Sequence, residues 1–267
     1  MRILVNRNDM HGDVMAATSV LKGLQEKYPG AEIDFMVDRR FSLVLQNNPR
    51  CRIVYRKQGH YDLEIPYLDH HYQWSDHMAR VHCRIAGVPF NPPELYLTQA
   101  EIDSCHLRGR IAFCNQAGWR CRTFQHMNEI VSQLTNTPIT QIDISPRVCG
   151  LHQPRLGIRE TAAIIYHSRF YFGIDTVFMH IAAALQKPML LVLGPTCSHG
   201  NYSQYVPNAM IVRPGPPTFM EDPAYQSGID VSPERVVEAY KAMVDGRRPP
   251  GFVYTGPDGY PLEDTGD

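Results

Sequence analysis

The chain has 267 residues, 43% of them hydrophobic and 20% charged, with a formal net charge of −1. That is the composition of an ordinary globular protein and excludes nucleic-acid binding driven by bulk positive charge. Seven cysteines, an odd number without a Cys-x-x-Cys pair, point to free thiols in a reducing compartment rather than to a disulfide framework.

No apolar run reaches the roughly 18–20 residues needed to span a bilayer. The start, Met1 to Arg7, enters a strand-like run without the apolar core of a signal peptide. The expectation is a cytoplasmic protein with no transmembrane segment, working in solution or at the inner face of the membrane.

In chain order, Arg2–Asn6 reads as a short buried strand and Asn8 to Gly12 as a loop. From Asp13, the apolar positions Val14, Ala17, Leu21, Leu24 and Tyr28 recur at helical spacing until Pro29-Gly30. Ile33–Val37 is a second strand, Phe41–Leu45 a short helix, Arg52–Tyr55 a third strand and Tyr61–Tyr67 a fourth. Ser75–Ala86 reads as a helix closed by Gly87. The polar, proline-bearing stretch from Asn91 to about Arg108 reads as a linker.

A second series follows. Ile111–Cys114 is a strand, 115–122 a loop, Thr123–Leu134 a helix, Ile139–Ile144 a strand and Ile158–Tyr166 a helix. A run ending at Tyr171-Phe172 turns through Gly173-Ile174-Asp175-Thr176 into a buried helix, Met179–Leu185, and a buried strand, Met189–Leu193. Ala209–Val212 is a late strand. Ser232 and Pro233 open a helix to about Val244 as N-cap and first helical residue.

Strands alternating with helices predict parallel sheets. The expected organisation is one α/β domain over 1–105, a second α/β domain over 106–250, and an extended tail over 251–267. In such sheets ligands bind beyond the carboxyl ends of the strands. The loops at 7–12, 115–122, 173–177 and 194–200 all follow strands and can face one cleft.

Several residues there admit two readings. Asp13 is either the N-cap of the first helix or a general base reaching into the cleft. Asp175 and Thr176 either cap the following helix or, with its free N–H groups, receive an anion. His180, in the apolar run FMHIAAAL, is a packed core histidine or a site residue. Arg120 and Arg122 are surface cations or bidentate phosphate partners. The run Arg39, Arg40, Arg50, Arg52, Arg56, Lys57 is a solvated face or a surface for an acidic acceptor. Asp69-His70-His71, Asp76-His77 and His82 fit no zinc spacing, and no Asp-x-Asp pair is present to hold a metal on a diphosphate, so no metal site is expected.

Three segments resemble glycosyltransferase family 9, the ADP-heptose:lipopolysaccharide heptosyltransferases. They are MRILVNRNDMHGDVMAATSVLKGLQEKYPGAEIDFMV, AFCNQAGWRCRTF and IRETAAIIYHSRFYFGIDTVFMHIAAALQKPMLLVLGPT. The resemblance implies a GT-B fold, two Rossmann-like domains facing a central cleft. It further implies an inverting, metal-independent transfer of heptose or a similar sugar from a nucleotide-diphosphate donor, with no cofactor.

Carried across, Asp13 is the catalytic base. Gly118, Arg122, Asp175, Thr176, Val177, His180 and Thr196 form the donor wall, with Arg122 in place of a phosphate-binding lysine. Asn8, His11, Arg39 and Arg40 form the acceptor wall. The implied partners are a nucleotide sugar and a glycan or glycolipid acceptor of lipopolysaccharide biosynthesis. Val177 stands where the family has glycine, and the first domain is compact. These departures keep two alternatives open: a degenerate nucleotide- or glycan-binding member without catalysis, and the same chemistry on a modified DNA base or a protein side chain, the nucleic-acid acceptor not being favoured.

Overall fold

The computed structural model describes residues 1–8, 10–66, 77–115, 117, 122–131, 133–134, 137–143, 151–194, 205–213, 228–260 and 262. Two sheets organise them. The first has the order β3-β2-β1-β4, built from β1 (Arg2–Asn6), β2 (Glu32–Met36), β3 (Arg52–Val54) and β4 (Leu63–Ile65), all parallel. The second has the order β10-β9-β8-β7-β5-β6. It is built from β5 (Ile111–Cys114), β6 (Ile139–Gln141), β7 (Tyr171–Gly173), β8 (Met189–Val192), β9 (Ala209–Val212) and β10 (Val253–Tyr254). Only the β9–β10 pair is antiparallel.

Each sheet reverses its strand order once, between β1 and β4 and between β5 and β7. Such switch points open a crevice at the carboxyl ends of the flanking strands.

The burial pattern follows from the pleat. Ile3, Val5, Ile33 and Phe35 turn one face of the first sheet onto Val14, Leu21 and Leu24 of α1 (His11–Ala17) and α2 (Ser19–Lys27). The second sheet is covered on both faces, which is why β5, β8 and β9 read as unbroken apolar runs. Ala112, Cys114, Tyr171, Met189 and Leu191 meet α6 (Ile158–His167) and α7 (Val177–Ala184). Ile111, Phe113, Phe172, Leu190 and Val212 meet α5 (Met127–Val131) and α8 (Pro233–Asp245). Ala16 of α1 and Ala79 of α3 (Met78–Ile85) belong to the same apolar cluster as α7, so the two halves share core.

The first helix is shorter than its periodicity predicts, because it breaks at Thr18. The Thr18 hydroxyl donates to the Met15 carbonyl at 2.7 Å and accepts from the Glu94 amide at 2.7 Å. A side chain that bonds its own turn competes with the helical ladder.

Four cations of the basic run, Arg40, Arg50, Arg52 and Lys57, form ion pairs. Asp34, fully buried, accepts from Arg2 (3.1 Å), Arg52 (2.8 Å) and the Tyr61 hydroxyl (2.7 Å). Arg50 bonds Glu94, Arg40 bonds Asp38 and Lys57 bonds Glu64. Arg39 of the same run lies over the Tyr55 ring at 4.8 Å.

The predicted linker contains a helix, α4 (Gln99–Asp103), which begins with a Thr98–Glu101 capping box. Arg159 of α6 bonds both Glu101 oxygens, at 2.8 and 2.7 Å, and the Tyr96 carbonyl at 2.6 Å. It ties the second half to the linker. The hydrogen bonds from Arg159, reinforced by Thr98, hold the Glu101 carboxyl down at about 2. A depressed carboxylate contributes stability that is full above its unfolded value and lost as pH falls through its folded value. The melting-temperature difference between wild type and Glu101→Gln is therefore expected to be a few degrees at pH 6 and to vanish towards pH 2. An unchanged difference across that range contradicts the pairing.

The segment after 251, read from sequence as an extended tail, supplies edge strand β10 and then crosses to the first half. The Tyr260 ring lies 5.3 Å from that of His77, and the Arg80 guanidinium sits 4.9 Å over it. Tyr205 donates to the Pro257 carbonyl at 2.7 Å and packs on Phe90.

Among the described residues no helix is long and apolar enough to cross a membrane.

Candidate active site

On the first half, Arg7 follows β1, and the chain then turns into α1. That helix is entered through Met10 at φ 42 and ψ 128, with no side-chain cap. A methionine with positive φ is a strained conformation, and it starts the helix at His11. Asp13 therefore lies inside the first turn and is not the N-cap. Its carboxylate is 22% exposed and sits 3.3 Å from the guanidinium of Arg7, itself 6% exposed. An acidic group in a helix's first turn also faces the positive end of the dipole.

On the second half, the turn after β7 places Asp175 and Thr176 at the start of α7. Thr176 is the N-cap, its hydroxyl accepting from the Phe178 amide at 3.2 Å. The same hydroxyl lies 3.4 Å from Tyr171 Oη and 3.7 Å from Cys114 Sγ. Asp175 is buried and pairs with Arg122 at 3.2 Å. Arg122 comes from the loop after β5, and β5 and β7 are the switch-point neighbours of this sheet.

Asn115 pins that loop. Its side-chain amide donates to the Phe124 carbonyl at 2.7 Å and accepts from the Phe124 amide at 3.2 Å. Its backbone N–H donates to Asp143 at 2.6 Å, and Gln141 donates to the same carboxylate at 2.8 Å. With the Phe124 backbone engaged in this way, the helix predicted from Thr123 begins only at Met127.

The turn after β7 requires its glycine. A Cβ on Gly173 would lie 2.6 Å from both the Cys114 carbonyl and Tyr171 Oη. Gly173→Ala is expected to destabilise by about 1–3 kcal/mol through overpacking, read as a lower urea midpoint with an unchanged slope.

His180, one turn into α7, joins the two walls. It is 5% exposed, and a Cβ on Gly12 would lie 2.7 Å from its Cδ2 and 2.8 Å from its Nε2. Burial pushes its pKa down to about 4, against a raising effect of Asp175 and with a lowering effect of Arg122. The ring is neutral near pH 7. Gly12, beside Asp13, thus lies against His180 of the other half, and the charges of Asp175 and Arg122 act on that ring.

Val177 is the first residue of α7, half-buried against the apolar cluster of that face. It is absent from the residues with positive φ. Its backbone is one that any L-residue adopts, so the absence of glycine here imposes no conformational conflict.

The acceptor-wall residues are more scattered. His11 packs edge-on against Phe41 at 4.9 Å, and burial lowers its pKa. Arg39 lies 4.8 Å over the Tyr55 ring, while Arg40 pairs with Asp38 at 3.0 Å. Asn8 is exposed. Gly118, Arg120 and Thr196 lie outside the described residues, as do 69–76 of the histidine-rich stretch. His77 caps α3, accepting from the Arg80 amide at 3.2 Å, and His82 is buried with its pKa pushed down to about 3, mainly by burial. No group of three or more His, Cys, Asp or Glu among the described residues is arranged to hold a metal.

Arg7, Met10 and Asn115 are contributions that sequence reasoning missed. Arg7 had a faint signal, a cation directly after a buried strand; the other two had none.

Residues 113–222 match the profile of glycosyltransferase family 9 (heptosyltransferase). No curated protein matches the chain. Among solved structures, the chain is similar to E. coli ADP-heptose LPS heptosyltransferase II (TM-score 0.71, 19% identity, covering 92% of this chain and 99% of that one). It is similar to E. coli heptosyltransferase WaaC with ADP (TM-score 0.64, 15% identity, 92% and 97%). It is also similar to the dodecameric iron-containing heptosyltransferase TibC in complex with ADP-D-beta-D-heptose (TM-score 0.66, 12% identity, 92% and 76%). The shared architecture is GT-B.

Proposed function

We propose, on the premise that residues 113–222 form a glycosyltransferase family 9 domain, that the chain transfers a sugar from a nucleotide-diphosphate donor to an acceptor hydroxyl, with inversion at the anomeric carbon. The structures it resembles were solved with ADP and with ADP-heptose, so ADP-heptose is the first donor to test, with a glycan or glycolipid of lipopolysaccharide biosynthesis as acceptor.

The observation that carries the reading is the close approach of Gly12, beside the first-turn Asp13, to His180 of α7, the helix at whose start Asp175 pairs with Arg122. Asp13 takes the proton from the acceptor hydroxyl as its oxygen attacks the anomeric carbon. The bond from that carbon to the diphosphate oxygen breaks with its electron pair, and the nucleoside diphosphate leaves.

The charge that develops on the leaving group has two partners in this chain. The start of α7 presents the positive end of the helix dipole to negative charge. Arg122, a permanent cation paired with Asp175 through Nη1, would supply positive charge beside a phosphate. Such preorganised donors supply the largest share of stabilisation in reactions of this kind.

The test is ADP release from ADP-heptose in the presence of lipopolysaccharide core acceptors, with the product anomer assigned by NMR and the rate compared with and without EDTA. ADP release, an inverted anomer and indifference to chelator support the reading. Neither hydrolysis nor transfer from any of a panel of ADP-, UDP-, GDP- and CDP-sugars, with ADP still bound in calorimetry, supports the binding-only alternative instead.

A further inference from the structure

We propose that His180 is a positioning residue: its imidazole is the stop against which the first turn of α1 rests, and it thereby sets how far Asp13 stands from the donor wall. The inference rests on the reading of Asp13 as the base.

Three observations carry it. First, the space that a side chain at residue 12 would occupy is already filled by the His180 ring, at 2.7 and 2.8 Å from the site of a Cβ. Any residue but glycine there pushes α1 back or displaces the ring. Second, the ring is mounted rigidly. Thr176 caps α7, and the neighbouring Met179, Ile181 and Ala182 are fully buried in the apolar layer of the second sheet. Third, Asp13 follows Gly12 in the same turn and is held on its other side by Arg7 at 3.3 Å. The carboxylate is thus located by two supports from different halves, Arg7 through its oxygen and His180 through the preceding backbone.

The ring is also unsuited to the role of phosphate cation. Burial keeps it neutral near pH 7, so it offers no charge to a leaving diphosphate. A displacement of about 1 Å in a reacting group can cost on the order of 10²-fold in rate, which makes a stop of this kind catalytically consequential without touching substrate.

The experiment is a double-mutant cycle on Gly12→Ala and His180→Ala. It uses ADP release from ADP-heptose for turnover, calorimetric titration with ADP for donor-side binding, and thermal melting for folding. Gly12→Ala is expected to lower kcat by about 10- to 100-fold with the ADP Kd within about twofold of wild type. His180→Ala is expected to lower kcat less, again at nearly constant Kd. The double variant, in which the added methyl enters the space left by the imidazole, is expected to turn over faster than Gly12→Ala alone.

Two results overturn the proposal. In one, the two losses simply multiply. In the other, His180→Ala raises the ADP Kd by the same factor as it lowers kcat/KM, which marks a direct donor contact. If His180→Ala does not fold, His180→Asn, which removes only part of the ring, takes its place in the cycle.

Asp13→Asn is run alongside. Wild-type turnover in that variant, or no ADP release by the wild type with any acceptor, overturns the reading of Asp13 as base and with it the distance-setting role. Losses that multiply while Asp13→Asn is inactive overturn only the role of His180.

Discussion

Asp13→Asn is expected to lower kcat for transfer by about 10²–10⁴-fold, the range over which a positioned general base contributes. ADP should still bind with a near-native Kd, because Asp13 belongs to the first half and Arg122, Asp175 and Thr176 to the second. The substitution is nearly isosteric and does not remove an N-cap, since α1 begins at His11 behind Met10. Its folding cost should therefore be small. It leaves Arg7, a 6% exposed cation, without its carboxylate partner at 3.3 Å, so a modest drop in melting temperature is expected. A variant that melts several degrees lower yet keeps wild-type kcat would show the ion pair to be structural and the base to lie elsewhere.

The second large effect is expected at Arg122. Arg122→Met removes the cation beside Asp175 and should cost about 10²–10³-fold in kcat, comparable to removal of one preorganised donor from a transition state. It should also weaken binding of the nucleoside diphosphate. Arg122→Lys keeps the charge while losing the planar fork, and should fall within about tenfold of wild type. A carboxylate buried as deeply as Asp175 is costly once its cation is gone, so the Met variant should also melt lower than the Lys variant. Equal activity of Met and Lys variants would remove Arg122 from the phosphate role.

Most of the fold was legible because buried parallel strands advertise themselves. Ile111–Cys114 and Met189–Val192 are apolar on every position, as strands covered on both faces must be. What was not legible had its cause elsewhere in the chain. The five residues of α4 lie in a polar linker, and the arginine that holds Glu101 comes from α6. The two residues of β10 carry no periodicity at all. Asp13 was misplaced as a possible cap because the helix starts earlier, at a methionine whose positive φ nothing in its chemistry announces.

The site was legible in composition and illegible in geometry. Asp175, Thr176 and His180 stand out by spacing, yet the sequence cannot say that Thr176 uses its hydroxyl as a cap. Nor can it say that buried His180 lies against Gly12 of the other half.

The crossing of Pro257 to Tyr260 onto α3 has a consequence for biosynthesis. These residues are translated after everything they pack against, and β10 pairs only with a strand already complete. While a ribosome still holds them, the first four-stranded sheet can fold, but its junction with the second half lacks the Tyr260 and Tyr205–Pro257 contacts. A nascent chain arrested before residue 253 should thus be cleaved by protease between the halves, whereas one released past residue 262 should resist. Folding of the first sheet would precede its docking, so the emerging chain would hold Asp13 in place before Arg122 and Asp175 were brought against it.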